Sequence, residues 1–186
     1  IMKRVILASQ SPRRRELMAD SGIPFLARAS HTEEFLDLSL PIIEAIERIA
    51  YEKAAALKSA YPEDVIIGAD TVVYYQDQVL GKPKDHEDAF RMLKLLSGQT
   101  HKVITGVAII KGDRKELFHA VTEVTFYPLT EEEIREYIHT EEPLDKAGAY
   151  AIQGFGKFLI AKISGDYYNV VGLPIAQLCR RLKDWR

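Results

Sequence analysis

The sequence predicts a mixed α/β fold, and three observations carry that expectation. Strand-like apolar runs alternate with helix-like periodic segments along the whole chain, most clearly at 65–75 and 40–60. The 186 residues are 47% hydrophobic, which suffices for a sizeable core in about one domain. Neither an internal repeat nor a low-complexity linker interrupts them, so one domain over residues 2–186 is expected. Ile1 precedes Met2, the expected native start.

The elements follow in order. Arg4–Ala8 is a short β-branched and apolar run. Ser11 and Pro12 then open a helix, as N-cap and first helical residue, that stops at Gly22. A strand is expected at Phe25–Ala29 and the longest helix at Leu40–Ala60. Val65–Tyr75 reads as a strong strand, with Gln76-Asp77-Gln78 turning into Val79-Leu80. Asp85 caps a helix through Leu96, ended by Ser97-Gly98. His101–Lys111 and Lys115–Tyr127 form strands joined at Gly112-Asp113-Arg114. Thr130 and Glu133 have the spacing of a capping box, opening a helix to about His139. Lys157–Ile163 fits neither period, and a last helix covers Pro174–Trp185.

Charge and composition exclude several functions. With 25 Lys+Arg against 27 Asp+Glu, the net charge of −2 lacks the basic field of a general nucleic-acid or membrane-surface binder. No apolar run approaches the ~20 residues that span a bilayer, and no signal peptide is apparent, so a cytoplasmic protein is expected. Cys179 has no companion for an internal disulfide or a cysteine zinc site. The five histidines lack metal-ligand spacing, and no GxSxG elbow or GxGxxG loop is present.

Several polar residues stand where the pattern asks for apolar ones. Alternation in Val65–Val73 places Ile66, Gly68, Asp70 and Val72 on one face, which puts a carboxylate in the middle of an apolar strand. Either Asp70 is a turn residue between two strands, or it is a general base or metal ligand that meets cations or donors. Lys53 falls inside the apolar stripe of its helix, at about 20° on a wheel where Ile46 and Ile49 lie at about 40° and 340°. It either snorkels out of that stripe or pairs with an anion. Arg13-Arg14-Arg15 opposes the macrodipole of the helix that Ser11 caps. Such a triplet is either a solvated face or, with Ser9, Ser11 and free backbone N–H groups after a strand, a polyphosphate site. Gly81-Lys82-Pro83 is not a Walker A loop, and taken alone it is a turn. Together these residues point to a polyphosphate substrate, a carboxylate and a divalent ion.

Leu7–Arg14, Gly68–Val73, Gly81–Pro83, Asp145–Gly154 and Gly165–Pro174 occur in the order of the signature blocks of the Maf family of nucleoside triphosphate pyrophosphatases. The chain resembles that family over residues 7–174. The resemblance implies a fold related to the inosine triphosphate pyrophosphatases, an elongated twisted sheet flanked by helices with a cleft between two lobes. It also implies a homodimer, and hydrolysis of a nucleoside triphosphate between the α and β phosphates with Mg²⁺ or Mn²⁺. By the same resemblance Asp70 is the proton acceptor that activates water, and Ser9, Arg13, Arg14, Lys53 and Lys82 hold the phosphates. The family's acidic residue falls on Glu33-Glu34, of which Glu34 is favoured as a metal carboxylate together with Asp70. Arg13, Thr71 and Gln153 resemble the branch acting on dTTP and UTP rather than the one preferring 7-methyl-GTP. An amide at Gln153 matches a pyrimidine edge that presents both a carbonyl and an N–H, an edge shared by modified uridine and thymidine nucleotides. Two other readings are a nucleotide-binding regulator of cell division, through septum inhibition, without important turnover, and a single-strand nucleic-acid binder using the arginine triplet.

Overall fold

The computed structural model describes residues 4–185, so the expected start at Met2 lies outside the described residues. The fold is mixed α/β, as the alternation predicts. Its strands pair in the order β2 (Phe25–Ala27), β1 (Val5–Leu7), β3 (Val65–Tyr75), β5 (Thr100–Lys111), β6 (Arg114–Phe126) and β7 (Ile160–Ser164), with β4 (Gln78–Leu80) attached to β3. The chain divides into two compact units, the first containing residues 4–71, 105–120 and 172–185 and the second 72–104 and 121–171. The long strands β3 (Val65–Tyr75), β5 (Thr100–Lys111) and β6 (Arg114–Phe126) contribute to both.

In the first unit, β1 (Val5–Leu7) is the parallel neighbour of both β2 (Phe25–Ala27) and β3, with Val5 opposite Phe25 and Val65. Helix α1 (Pro12–Asp20) begins where expected, since the Ser11 hydroxyl accepts the Arg14 N–H at 3.4 Å and Pro12 needs no N–H partner. Helix α2 (Ile42–Ala55) is shorter than the apolar pattern suggested, because the chain leaves it through turns at Leu57, Lys58 and Tyr61. Ile6, Ala8, Ala50, Ala54, Ile66, Ala108 and Ile110 form the core between α2 and the strands. Small side chains predominate there, so the helix can lie close to the sheet. Helix α6 (Ile175–Leu182) ends in a 3₁₀ turn, where the Trp185 indole N–H donates to Glu116 at 3.0 Å.

The second unit holds β4 (Gln78–Leu80), which pairs antiparallel with β3 through a two-residue turn. Gln76 and Asp77 adopt φ of +48° and +61° there, so Gln78 belongs to the strand rather than the turn. Asp85 caps α3 (His86–Leu96) by accepting the Asp88 N–H at 2.8 Å. The Thr130–Glu133 capping box opens α4 (Glu131–His139), with reciprocal bonds of 3.1 and 2.7 Å. The stretch that fitted neither period is two elements, a 3₁₀ turn at Phe155–Leu159 followed by β7 (Ile160–Ser164). A register shift against β6 at Thr125/Phe126 breaks the alternation that would have revealed it. Short helical turns at Glu142–Asp145 and Ala147–Ala149, and α5 (Tyr167–Val171), carried no periodic signal because none exceeds a turn or two.

In the second unit His101 is buried, 1% exposed, between the rings of Phe126 and Tyr150 and 2.6 Å from the Tyr150 hydroxyl. Burial pushes its pKa down to about 4. The unfolded chain then binds a proton below about pH 6.5 that the folded chain refuses until about pH 4. Stability is therefore expected to hold above pH 6.5 and to fall by ~3 kcal/mol towards pH 4. Urea midpoints measured across that range should decline in the wild type, and a His101→Phe variant should lose this component of the decline.

Candidate active site

The centre of the first unit is set by how closely α2 approaches β3. A Cβ added at Gly68 would lie 2.0 Å from the Ala50 carbonyl oxygen and 2.9 Å from the Ala54 nitrogen, both backbone atoms. Gly106 on β5 also stands close to the same helix, its Cβ position 2.6 Å from the Ile46 carbonyl oxygen. Only residues without a side chain permit that contact. Asp70 lies two residues beyond Gly68 and so shares its face of the strand, while Lys53 lies one turn from Ala50. The approach of the backbones thus delivers the lysine to the carboxylate.

Lys53 Nζ donates to Asp70 Oδ1 at 2.9 Å, to the Ala69 carbonyl at 3.4 Å and to Glu34 Oε1 at 2.8 Å. Lys53 is therefore paired rather than snorkelling, and Asp70 lies within β3 rather than in a turn. Glu34, of the adjacent Glu33-Glu34 pair, is the residue whose carboxylate meets the lysine. The two carboxylates differ in freedom, with the Asp70 side chain 15% exposed and Glu34 55% exposed. The lysine takes one oxygen of each. Asp70 Oδ2 accepts no hydrogen bond from any described residue.

Arg14 reaches the same strand from α1. Its Nε donates to the Gly172 carbonyl at 2.7 Å and its Nη2 to Thr71 Oγ1 at 3.0 Å. Thr71 in turn lies 2.8 Å from the hydroxyl of the fully buried Thr105. Burial pushes the Arg14 pKa down, the charge of Arg13 adds to that, and Asp70 and Glu34 oppose it. The guanidinium is thus oriented by two protein acceptors, and its remaining N–H groups are bonded to no described residue. Ser9 is nearly buried, and its hydroxyl accepts the Ser11 N–H at 3.1 Å, which fixes the loop between β1 and α1. Arg13 is half-buried at the start of that helix.

The structure therefore brings Ser9, Arg13, Arg14, Glu34, Lys53, Asp70 and Thr71 into the first unit. Lys82 and Gln153 belong to the second, both exposed. There the Gly81 carbonyl accepts the Gly148 N–H at 3.1 Å, joining the loop of Lys82 to the segment that leads to Gln153. Thr105 and the Gly172 carbonyl went unnoticed in the sequence, because an isolated threonine and a main-chain oxygen leave no mark in a pattern of side chains.

Among the described residues no group of three or more His, Cys, Asp or Glu side chains could hold a metal ion. Glu34 and Asp70 nevertheless supply two hard oxygen donors at one place. That set fits a magnesium-like ion held by one or two carboxylates and completed by substrate phosphates and water, and does not fit a cage made of protein alone.

The model of the family described as Maf-like protein matches residues 4–185. A dTTP/UTP pyrophosphatase of Bacillus velezensis is 53% identical over 183 residues, covering 98% of this chain and 97% of that one. Another, from Bacillus cytotoxicus, is 50% identical over 184 residues, covering 99% and 96%. Among solved structures, a HAM1 protein from Coxiella burnetii aligns with a TM-score of 0.49 at 14% identity, over 98% of this chain and 100% of that one. A chain matched by the family's model from residue 4 to residue 185, with relatives this similar along its whole length, belongs to the Maf-like protein family.

Proposed function

We propose that the protein hydrolyses dTTP and UTP to the monophosphate and pyrophosphate. The observation that carries the proposal is the Lys53–Asp70–Glu34 cluster beside the arginine-headed α1, in a chain about half identical to proteins named dTTP/UTP pyrophosphatase.

Water attacks the α phosphorus. A new P–O bond forms, the bond from the α phosphorus to the bridging oxygen breaks, and pyrophosphate leaves with that electron pair. Lys53 holds Asp70 through Oδ1, so Oδ2 faces the water, orients it and accepts its proton. Arg13 and the unbonded N–H groups of Arg14 neutralise charge as it builds on the leaving group, with Ser9 and Lys82 as further phosphate contacts. Arg14 is aimed by Thr71 and the Gly172 carbonyl, which makes its position fixed before substrate arrives. A divalent cation, Mg²⁺ or Mn²⁺, would be held by Glu34 and Asp70, and when bound it supplies electrostatic polarisation of the phosphate oxygens. Gln153 reads the pyrimidine edge with one amide donor and one amide acceptor. The same proposal includes a cytoplasmic location and a homodimer, and light scattering on the purified protein checks the dimer.

The test is digestion of dTTP, UTP, 7-methyl-GTP and ATP with Mg²⁺ or Mn²⁺, with chromatographic separation of the products. The expected result is monophosphate and pyrophosphate from dTTP and UTP, at least about tenfold faster than from the purine nucleotides. Diphosphate and phosphate as products would refute the cleavage site. Tight binding without any cleavage would replace the enzyme by a nucleotide-binding regulator.

A further inference from the structure

Gln153 sits in an irregular segment, Ala151 to Gly154, that precedes the 3₁₀ turn beginning at Phe155. No strand or long helix fixes it. It is pinned instead from one half-buried carboxylate outside the five signature blocks. Glu142 Oε1 accepts the Tyr137 hydroxyl at 2.7 Å and the Gly156 N–H at 3.1 Å, and its Oε2 accepts the Phe155 N–H at 2.9 Å. The Tyr137 oxygen itself accepts the Ala151 N–H at 3.1 Å. The main chain is therefore held two residues before Gln153 and again two and three residues after it. The wrap is so close that a Cβ at Gly154 would lie 2.1 Å from Glu142 Oε2. Burial, and then the bond to Glu142, push the Tyr137 hydroxyl up, so it stays a protonated donor. Tyr137 is rooted in α4, whose start the capping box fixes.

The clamp holds backbone only. The Gln153 side chain is exposed, and its amide makes no hydrogen bond to any described residue. Three donors on one carboxylate is an expensive way to order a surface turn that apolar packing could have ordered. It is a suitable way to fix a side chain whose direction has to be right.

We infer that Glu142 is a positioning residue for base selection: with Tyr137 it holds the main chain of residues 151–156, and so fixes where the Gln153 amide meets the pyrimidine edge. The inference rests on the reading of Gln153 as the base-contacting residue. Glu142→Gln keeps the volume but turns one acceptor into a donor, facing a main-chain N–H.

The experiment measures kcat and KM for dTTP and dGTP in the wild type, Glu142→Gln, Gln153→Ala and the double variant. The preference for dTTP in kcat/KM is expected to fall about tenfold in Glu142→Gln, through KM, with kcat changed by less than about twofold. In the double variant the preference should equal that of Gln153→Ala alone, because an absent amide cannot be misplaced. A preference lowered by Gln153→Ala but untouched by Glu142→Gln would overturn the inference, as would fully additive losses. If Gln153→Ala leaves the preference unchanged, the base-contact reading fails first and the inference falls with it. Should Glu142→Gln not fold, Tyr137→Phe, which removes the Ala151 tether, replaces it with the same expected outcomes.

Discussion

Asp70→Asn is expected to lower kcat for dTTP by about 10³-fold while KM changes only a few-fold, because the substitution removes a proton acceptor and leaves the phosphate contacts in place. The substitution also weakens one of the two carboxylate donors proposed for the cation, so the loss is read at saturating Mg²⁺. Asparagine has the same shape, and its carbonyl can still accept from Lys53, which also keeps Glu34 and the Ala69 carbonyl as partners. Stability should therefore fall by no more than ~1–3 kcal/mol, the scale for weakening one bond of a buried ion pair. Steady-state kinetics with a parallel urea titration separates the two effects. Near-normal turnover in a folded Asp70→Asn protein would remove Asp70 from the mechanism.

Gly68→Ala is expected to damage both stability and activity, although it adds a single methyl group. The new carbon would sit 2.0 Å from the Ala50 carbonyl oxygen, and a backbone atom in the middle of a helix cannot swing aside as a side-chain tip can. Helix α2 has to move away from β3, at a cost of ~2–4 kcal/mol, in the range of other overpacked cores. The displacement carries Lys53 away from Asp70, and a misplacement of about 1 Å is worth about 10²-fold in rate. Urea midpoints and kcat on the same preparation check this. A variant with unchanged midpoint and turnover would show that the approach of α2 does not set the site.

How far the sequence alone reached depended on whether a feature was local. Ser11-Pro12, Asp85 and the Thr130–Glu133 box were readable because a cap and its partner lie within four residues. Val65–Tyr75 was readable to its last residue because its apolar run is long and ends in a two-residue turn. Asp70 and Lys53 stood out as misfits against their own periodicity, and the misfit of each is explained by the other. Glu34 lies in a loop without any period, so only the resemblance singled it out. Glu142 could not be anticipated, since its partners, the Tyr137 hydroxyl and the main-chain N–H groups of Phe155 and Gly156, are met only through the folded chain. The register shift that hid β7 belongs to the same class.

In the proposed reaction water, directed by Asp70, attacks the α phosphorus of a pyrimidine nucleoside triphosphate. Running the dTTP digestion in ¹⁸O-water and weighing both products by mass spectrometry shows which phosphorus is attacked. One ¹⁸O atom is expected in dTMP and none in pyrophosphate. Label in the pyrophosphate would place the attack on the β phosphorus and contradict the proposed reaction.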